Sequence, residues 1–367
     1  MRILILANND IGLFKFRKEL IQELIFRGNQ IYISLPKGGF IEPLVKMGCT
    51  FIDTEVDRRG INPIKDLKLL TSYLKIITNI KPEIVITYTI KPNIYGGMIC
   101  RFTKTRYVAN ITGLGTTFQN DNLLKKIIVF LYRRSLKKAD TVFFENEENQ
   151  EIFINNQIVE RESTCKLNGA GVNIDEYQFC EYPHQGNALH FLFVGRVMKE
   201  KGIVELLEAA RKIRDNYDNV IFDIVGPIEE NDKDIMKTMS EQKNIKYHGY
   251  QSDIKPFIEK THCFILPSHH EGMANTLLES GAMGRPLITS NISGCREAVL
   301  DEKSGLLVNV KDSDDLYMKI KQFIDLPYNT KKDIGKKSRD YIEQKFDRRI
   351  VIADTMKQLE RKSIKHS

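Results

Sequence analysis

The chain has little that would fix its fold through covalent or metal chemistry. Its six cysteines, at positions 49, 100, 165, 180, 263 and 295, show no C-x-x-C spacing. Dispersed reduced thiols are therefore expected, rather than a disulfide frame or a zinc site. Apolar runs such as Ile127 to Tyr132 fall far short of the roughly 20 residues that cross a bilayer. The N-terminus MRILILANND enters a strand-like stretch without the charged, apolar and small-residue regions of a secretory signal, so a cytoplasmic setting is expected. Histidine is missing from the first half: all seven lie beyond residue 183, and no imidazole base can come from a domain built there. Neither a repeat nor a low-complexity tract is present, and the Lys-rich end RKSIKHS reads as a frayed tail.

What is present is enough for two cores. A chain of 367 residues, 42% hydrophobic and 28% charged, exceeds what one core usually organises. The net charge of +7 is too mild to announce a nucleic-acid binder. It is unevenly placed, however: residues 1–140 hold 23 Lys/Arg against 11 Asp/Glu, while residues 141–367 hold 32 against 37.

Short β-branched runs alternate with helical patterns throughout: RILILA, QIYISL, EIVIT, RYVANI and TVFF, then LHFLFVG, VIFDIVG, CFILP and PLITS. This is a βαβ rhythm, and runs apolar on consecutive positions suit parallel strands buried on both faces. Between them, Leu13 to Phe26, Ile64 to Ile80, Leu123 to Lys138, Ile203 to Ile213 and Ser313 to Ile324 have amphipathic helix spacing. Two doubly wound α/β domains are expected, 1–183 and 184–345. The seam is placed at the polar stretch EYPHQGN, Glu181 to Asn187.

Two loops of the second domain could carry chemistry. The first, Gly195-Arg196-Val197-Met198-Lys199-Glu200-Lys201-Gly202, lies between a strand and a helix. Glycines at both ends let backbone N–H groups approach a phosphate, and Arg196 and Lys201 could neutralise a diphosphate. An ordinary basic turn has the same composition. The second, Ser268 to Glu279, places Glu271 in a loop and Glu279 one turn inside a helix. A loop carboxylate there can bind sugar hydroxyls, and a second can hold those of a ribose. Thr276-Leu277-Leu278-Glu279 equally fits a capping box, in which Glu279 bonds only a backbone N–H. His269 and His270 have no acidic or Cys partner at ligand spacing, and no metal is expected.

In the first domain the turn Ala7 to Lys18 is not G-x-G-x-x-G, although Gly12 falls where doubly wound sheets bind ligands. Other polar candidates are Asp10, the segment Thr87 to Pro92, and Asn110 to Thr117 with its two glycines. Phe14-Lys15-Phe16-Arg17-Lys18 and the helix Leu123 to Lys138 interleave bulky apolar residues with cations. That pattern suits an anionic membrane surface; it suits a core-facing stripe with a solvated basic back as well.

The second half resembles the retaining glycosyltransferases of family 4, through VGRVMKEKG, EGMANTLLE, SGAMGRPLITSNISGCREAV and SGLLV. The first half is similar more loosely, through TYTIKPNIYGG, NITGLGTTF and NGAGVNIDEY, to transferases that extend lipid-linked sugars in capsule, O-antigen or exopolysaccharide assembly. The resemblance implies the GT-B architecture of two Rossmann-like domains facing across a cleft. Residues 1–183 would bind the acceptor, 184–345 the nucleotide sugar, and a helix in 346–367 would cross back to the first domain. It further implies that Arg196 and Lys201 hold the donor diphosphate and Glu271 touches the donor sugar. Glu279 would hold the ribose, while Gly272, Met273, Ala274, Asn275 and Thr276 offer backbone N–H groups. Relatives often place a His in the first domain; here Tyr88 or Thr112-Gly113 stand in comparable stretches.

The expected activity is transfer of a hexose or N-acetylhexosamine, with retention, from a UDP-sugar to a saccharide on undecaprenyl diphosphate. No cofactor is expected beyond the donor itself. The expected location is peripheral, at the inner face of the cell membrane, with the basic first domain toward anionic lipid and no nucleic acid bound. The alternatives are a UDP-amino-sugar epimerase of the same architecture, or a non-catalytic basic nucleotide-binding module.

Overall fold

The alternation of β1 (Arg2–Leu6) sorts the first domain into two layers. Ile3 and Ile5 enter one buried cluster while Leu4 and Leu6 enter another, as successive side chains of a strand must. In this computed structural model the described residues are all but 58–61, 115–117, 119–122, 185, 187, 230–232 and 362–367. Residues Gly115 to Thr117 of the expected first-domain loop, and the tail from 362, lie outside them.

The first sheet contains β2 (Gln30–Leu35), β3 (Thr50–Asp53), β4 (Ile84–Tyr88), β5 (Tyr107–Ile111), β6 (Thr141–Phe144) and β7 (Thr164–Lys166) beside β1. All pairs are parallel, in the order β3-β2-β1-β4-β5-β6-β7. One face is covered by α1 (Asp10–Phe26) and α2 (Ile41–Lys46). The other is covered by α3 (Pro63–Ile80), a π-helical turn (Pro92–Gly96), α4 (Gly97–Thr103), α5 (Leu123–Leu136) and α6 (Glu147–Asn155).

The second sheet holds β8 (Leu189–Val194), β9 (Val220–Val225), β10 (Ile245–Tyr247), β11 (Cys263–Leu266), β12 (Leu287–Ser290) and β13 (Gly305–Val308). It is again all parallel, ordered β10-β9-β8-β11-β12-β13. Its helices are α7 (Ile203–Arg214), α8 (Lys233–Glu241), α9 (Lys255–Lys260), α10 (Asn275–Ala282), α11 (Ser313–Asp325) and α12 (Tyr328–Phe346). A last helix, α13 (Arg348–Arg361), places Val351, Met356 and Leu359 in the first domain's core.

The compact units are Met1–Ala170 with Val351–Ser367, and Gly171–Ile350. The segment before residue 184 thus packs with the second unit. Fully buried Arg285 ties it there, donating from Nη2 to the Glu181 carbonyl at 3.0 Å and from Nε to the Ile258 carbonyl at 2.8 Å. Val172 and Arg348 also exchange backbone hydrogen bonds with their neighbours: Val172 N–H donates to Phe346 O at 2.8 Å and Arg348 N–H to Val172 O at 2.9 Å. Among the described residues no helix is long and apolar enough to cross a membrane.

Candidate active site

In both sheets the strand order reverses direction once, between β1 and β4 and between β8 and β11. The connections leaving those strands diverge, and the crevice between them is where doubly wound sheets take ligands. In the second unit both expected loops fall at this point, 195–202 after β8 and 267–274 after β11.

The two loops are joined closely. Gly202 caps α7 with φ +73°, and a Cβ there would lie 1.9 Å from the Pro267 carbonyl oxygen. His269 N–H donates to Glu200 O at 2.9 Å, and His269 Nε2 lies 3.0 Å from Glu205 Oε1. Across this seam Lys201 Nζ reaches Glu271 Oε1 at 2.5 Å, and Ser268 Oγ donates to the same oxygen at 2.8 Å. Lys201 and Glu271 are largely buried, with side chains 19% and 11% exposed. A charge-assisted bond in such surroundings is stronger than one in water. The loop after β12 supports the floor: Gly294, at φ +87°, leaves no room for a Cβ against Gly272 O at 2.6 Å.

Arg196 is half exposed and pairs with Glu229, beyond β9. Gly195 sits below it, and its N–H is already given to Val225 O at 3.0 Å. Ala274 likewise donates to Gly294 O at 2.9 Å, and Gly12 to the Asn9 side chain at 2.6 Å as part of the α1 cap. These three amides are spent within the protein and are not offered to a ligand. Asn275 and Thr276, the first two residues of α10, have no intrahelical acceptor for their N–H groups. The N-cap, Ala274, brings no side-chain cap. Gly272 belongs to the loop before it, and Met273 is buried beneath.

The start of α10 decides the competing interpretation of Glu279. A capping box needs Thr276 as N-cap and Glu279 at the third helical position. The helix begins instead at Asn275 with Ala274 as N-cap, so Glu279 is its fifth residue and the box cannot form. Glu279 is nearly buried and accepts the Tyr177 hydroxyl. Burial, reinforced by the Glu279 charge, pushes that phenol well above its ordinary range. Burial also lowers the His270 imidazole, against the opposing pull of Glu271. Two buried atoms at this site, His270 Nδ1 and Asn275 Oδ1, have no hydrogen-bond partner among the described residues. Among the described residues no cluster of His, Cys, Asp and Glu could hold a metal.

In the first unit the expected polar residues divide. Asp10 is buried; it accepts Phe40 N–H at 2.7 Å and fills the space over Gly38, so it holds the loop after β2. Thr87, Asn93 and Asn110 form an internal network, with Thr87 Oγ1 to Asn93 Oδ1 at 2.6 Å and Asn93 Nδ2 to Asn110 O at 2.9 Å. Arg17 lies over the Tyr88 ring at 5.0 Å and bonds Glu145 at 2.7 Å. With Phe14 stacked on Phe40, the α1 cation run is drawn into packing and does not present an open apolar-basic face. Sequence reasoning missed Glu145, Glu205, Glu229, Tyr177 and Gly294, because each acts through a partner distant in the chain.

Comparison with known proteins bears on the family and the fold. Residues 2–146 match the glycosyl transferase 4-like family and residues 176–341 the glycosyl transferases group 1. Anabaena HepE, solved with UDP and glucose, superposes with a TM-score of 0.81 at 16% identity, covering 98% of this chain and 99% of that one. A glycosyltransferase from Rickettsia africae gives a TM-score of 0.79 at 19% identity, covering 97% of each. Together, fold and matches define a two-domain glycosyltransferase of the GT-B fold. The chain belongs to the retaining glycosyltransferases of family 4, its second domain carrying the group 1 module. It is 26% identical to the N,N'-diacetylbacillosaminyl-diphospho-undecaprenol alpha-1,3-N-acetylgalactosaminyltransferase of Campylobacter jejuni, over 94% of this chain and 95% of the relative. It is 28% identical to the UDP-Gal:alpha-D-GlcNAc-diphosphoundecaprenol alpha-1,3-galactosyltransferase of Escherichia coli, over 70% of each.

Proposed function

We propose that the protein transfers a hexose or N-acetylhexosamine from a UDP-sugar, with retention, to a saccharide carried on undecaprenyl diphosphate. The reaction serves surface-polysaccharide assembly at the inner, anionic face of the cell membrane. The names of the Campylobacter and Escherichia relatives support donor and acceptor class. The observation that carries the reading is the Lys201–Glu271–Ser268 cluster at the switch point, beside a helix start with no side-chain cap.

Glu271 balances Lys201. A diphosphate would take over the Lys201 ammonium, with Arg196 and the Asn275 and Thr276 amides beside it. Glu271, released from Lys201, would then accept a hydroxyl of the donor sugar, and Glu279 the ribose hydroxyls. As the bond from the anomeric carbon to the β-phosphate oxygen breaks, negative charge grows on that oxygen, where Lys201 and Arg196 stabilise it. The acceptor hydroxyl attacks from the same face, and its proton passes to the departing phosphate. Side chains of this chain then need not supply a separate base, which accommodates a first domain with no histidine.

The test is a mass-detected transfer assay with a panel of UDP-sugars and synthetic prenyl-diphosphate saccharides, run with wild type and Glu271→Ala. Glycosylated lipid from wild type and almost none from the variant is the expected result. Glycosylation of soluble sugars only would overturn the acceptor. Epimerisation of the donor without acceptor would replace the reaction class.

Glu279→Gln separates binding from chemistry. Loss of a charged hydrogen bond costs about 1.5–3 kcal/mol, so KM for the UDP-sugar should rise roughly 10- to 100-fold with kcat nearly unchanged. Initial rates against donor concentration decide this; a fall in kcat at constant KM would place Glu279 at the reacting carbon instead.

A further inference from the structure

Large apolar side chains lie open on two helices of the first unit. Ile64 and Leu67 of α3 are 82% and 64% exposed; Leu123, Leu124 and Ile127 of α5 are 73%, 37% and 42% exposed. Apolar groups gathered this way on a soluble domain mark an interaction surface.

Topology gathers them. α3 follows β3 and α5 follows β5, so both helices begin at the edge of the sheet where strands end. Their inner faces, Leu69, Tyr73 and Ile77 on one and Ile128, Tyr132 and Leu136 on the other, enter the same buried cluster. Both therefore cover the same side of the sheet, and α4 packs against each. That edge is also where β1 and β4 diverge, at Asn8 and Thr89. Two other exposed aromatics, Phe26 and Phe102, close helices leading back into β2 and β5 and so belong to the opposite edge.

Charge selects the occupant. The α5 sequence LLKKIIVFLYRRSL has four cations and no acid. Its apolar stripe Leu123, Ile127, Phe130 runs beside exposed Lys126, Arg133 and Arg134, and Arg134 lies over the Phe130 ring at 5.4 Å. On α3, Lys65 and Lys68 are matched by Asp57 and Glu55 at 3.2 and 3.1 Å, so that end contributes apolar contact with little net charge. An apolar stripe flanked by exposed cations is the pattern of a helix lying in an anionic bilayer interface.

We infer that the paired N-terminal ends of α3 and α5 form a lipid-inserting edge, with Ile64, Leu67, Leu123, Leu124 and Ile127 entering an anionic bilayer beside the first domain's ligand crevice. This rests on the lipid-linked acceptor proposed above: the saccharide enters the crevice while its prenyl chain stays in the membrane. The long basic run of α1 takes no part.

The sequence contains no tryptophan, so a single introduced one reports on its own surroundings. In Ile127→Trp, emission should move to the blue with vesicles of phosphatidylcholine and phosphatidylglycerol, and should do so far less with phosphatidylcholine alone. Phe26→Trp should not respond. The pairs Leu123→Glu/Ile127→Glu and Ile64→Glu/Leu67→Glu, at exposed positions, should each weaken vesicle sedimentation by about ten-fold or more. Both pairs should retain UDP affinity and transfer onto a short, water-soluble prenyl-diphosphate acceptor. Vesicle binding that survives both pairs, or a response from Phe26→Trp, would overturn this surface while leaving the lipid-linked acceptor standing. A glutamate pair that splits a dimer of the free protein would assign the face to a second copy instead. Failure of wild type to use any prenyl-diphosphate acceptor would fall on the proposed function, and the transfer arm shows it independently of vesicles.

Discussion

Exchanging Lys201 for methionine is expected to lower kcat by about two to three orders of magnitude, the loss that follows removal of one preorganised group facing developing negative charge. Methionine keeps most of the apolar stem and deletes the ammonium. The Glu271 carboxylate, 11% exposed, then loses its ammonium partner while keeping the Ser268 hydroxyl. A carboxylate so placed without its cation costs stability as well as activity. The two effects separate in a double variant. Lys201→Met/Glu271→Gln removes both charges, so the melting temperature should recover toward wild type while kcat stays low. Rate losses of the two single changes should not add, because one side chain positions the other until substrate arrives. Arg196→Ala, at a half-exposed site already paired to Glu229, should cost far less. A Lys201→Met enzyme within three-fold of wild type in single-turnover rate would remove Lys201 from the diphosphate.

The architecture was legible because parallel strands buried on both faces read as continuous apolar runs. The four strands that the sequence pattern did not reveal, β3, β7, β10 and β13, are the four edges of the two sheets. Edge strands are short and less buried, and Thr-Phe-Ile-Asp, Thr-Cys-Lys and Ile-Lys-Tyr lose the apolar run for that reason. α12 escaped notice for a different cause. It meets α10 through small residues, with Ser338 Oγ 2.9 Å from where a Gly281 Cβ would be, and so has little apolar stripe to detect. In the site, residue types and spacing pointed to Lys201, Glu271 and Glu279, but not to their arrangement. The capping-box pattern at Thr276 was misleading because the helix starts two residues earlier than that pattern assumes. The α1 cations read as membrane-facing because Glu145, the partner of Arg17, is 128 residues away. Spacing also treated Gly195 and Gly202 alike, as glycines bracketing one loop; their surroundings divide them.

Gly202→Ala should destabilise the second unit by about 2–4 kcal/mol, combining left-handed backbone strain with overpacking. The new Cβ would stand 1.9 Å from Pro267 O and 2.9 Å from Pro267 Cγ, at φ +73°. Proline limits how far the opposing chain can turn away, so the loop after β8 must lift from the loop after β11. That breaks the bond from His269 N–H to Glu200 O and separates Lys201 from Glu271. For a domain of this size the melting temperature should fall by roughly 5–15 °C. Misplacement of catalytic groups by about 1 Å can cost 100-fold in kcat/KM, so activity should drop even well below the transition. Gly195→Ala is the internal control. Its nearest neighbour would be the Phe193 ring at 3.4 Å, an ordinary contact, and its φ is not positive, so the melting temperature should hold within about 2 °C. Any loss of transfer in that stable variant then measures the room the donor takes beside Gly195. Equal melting temperatures for the two variants would mean that the loops do not depend on the Gly202–Pro267 contact, and that Lys201 reaches Glu271 by another restraint.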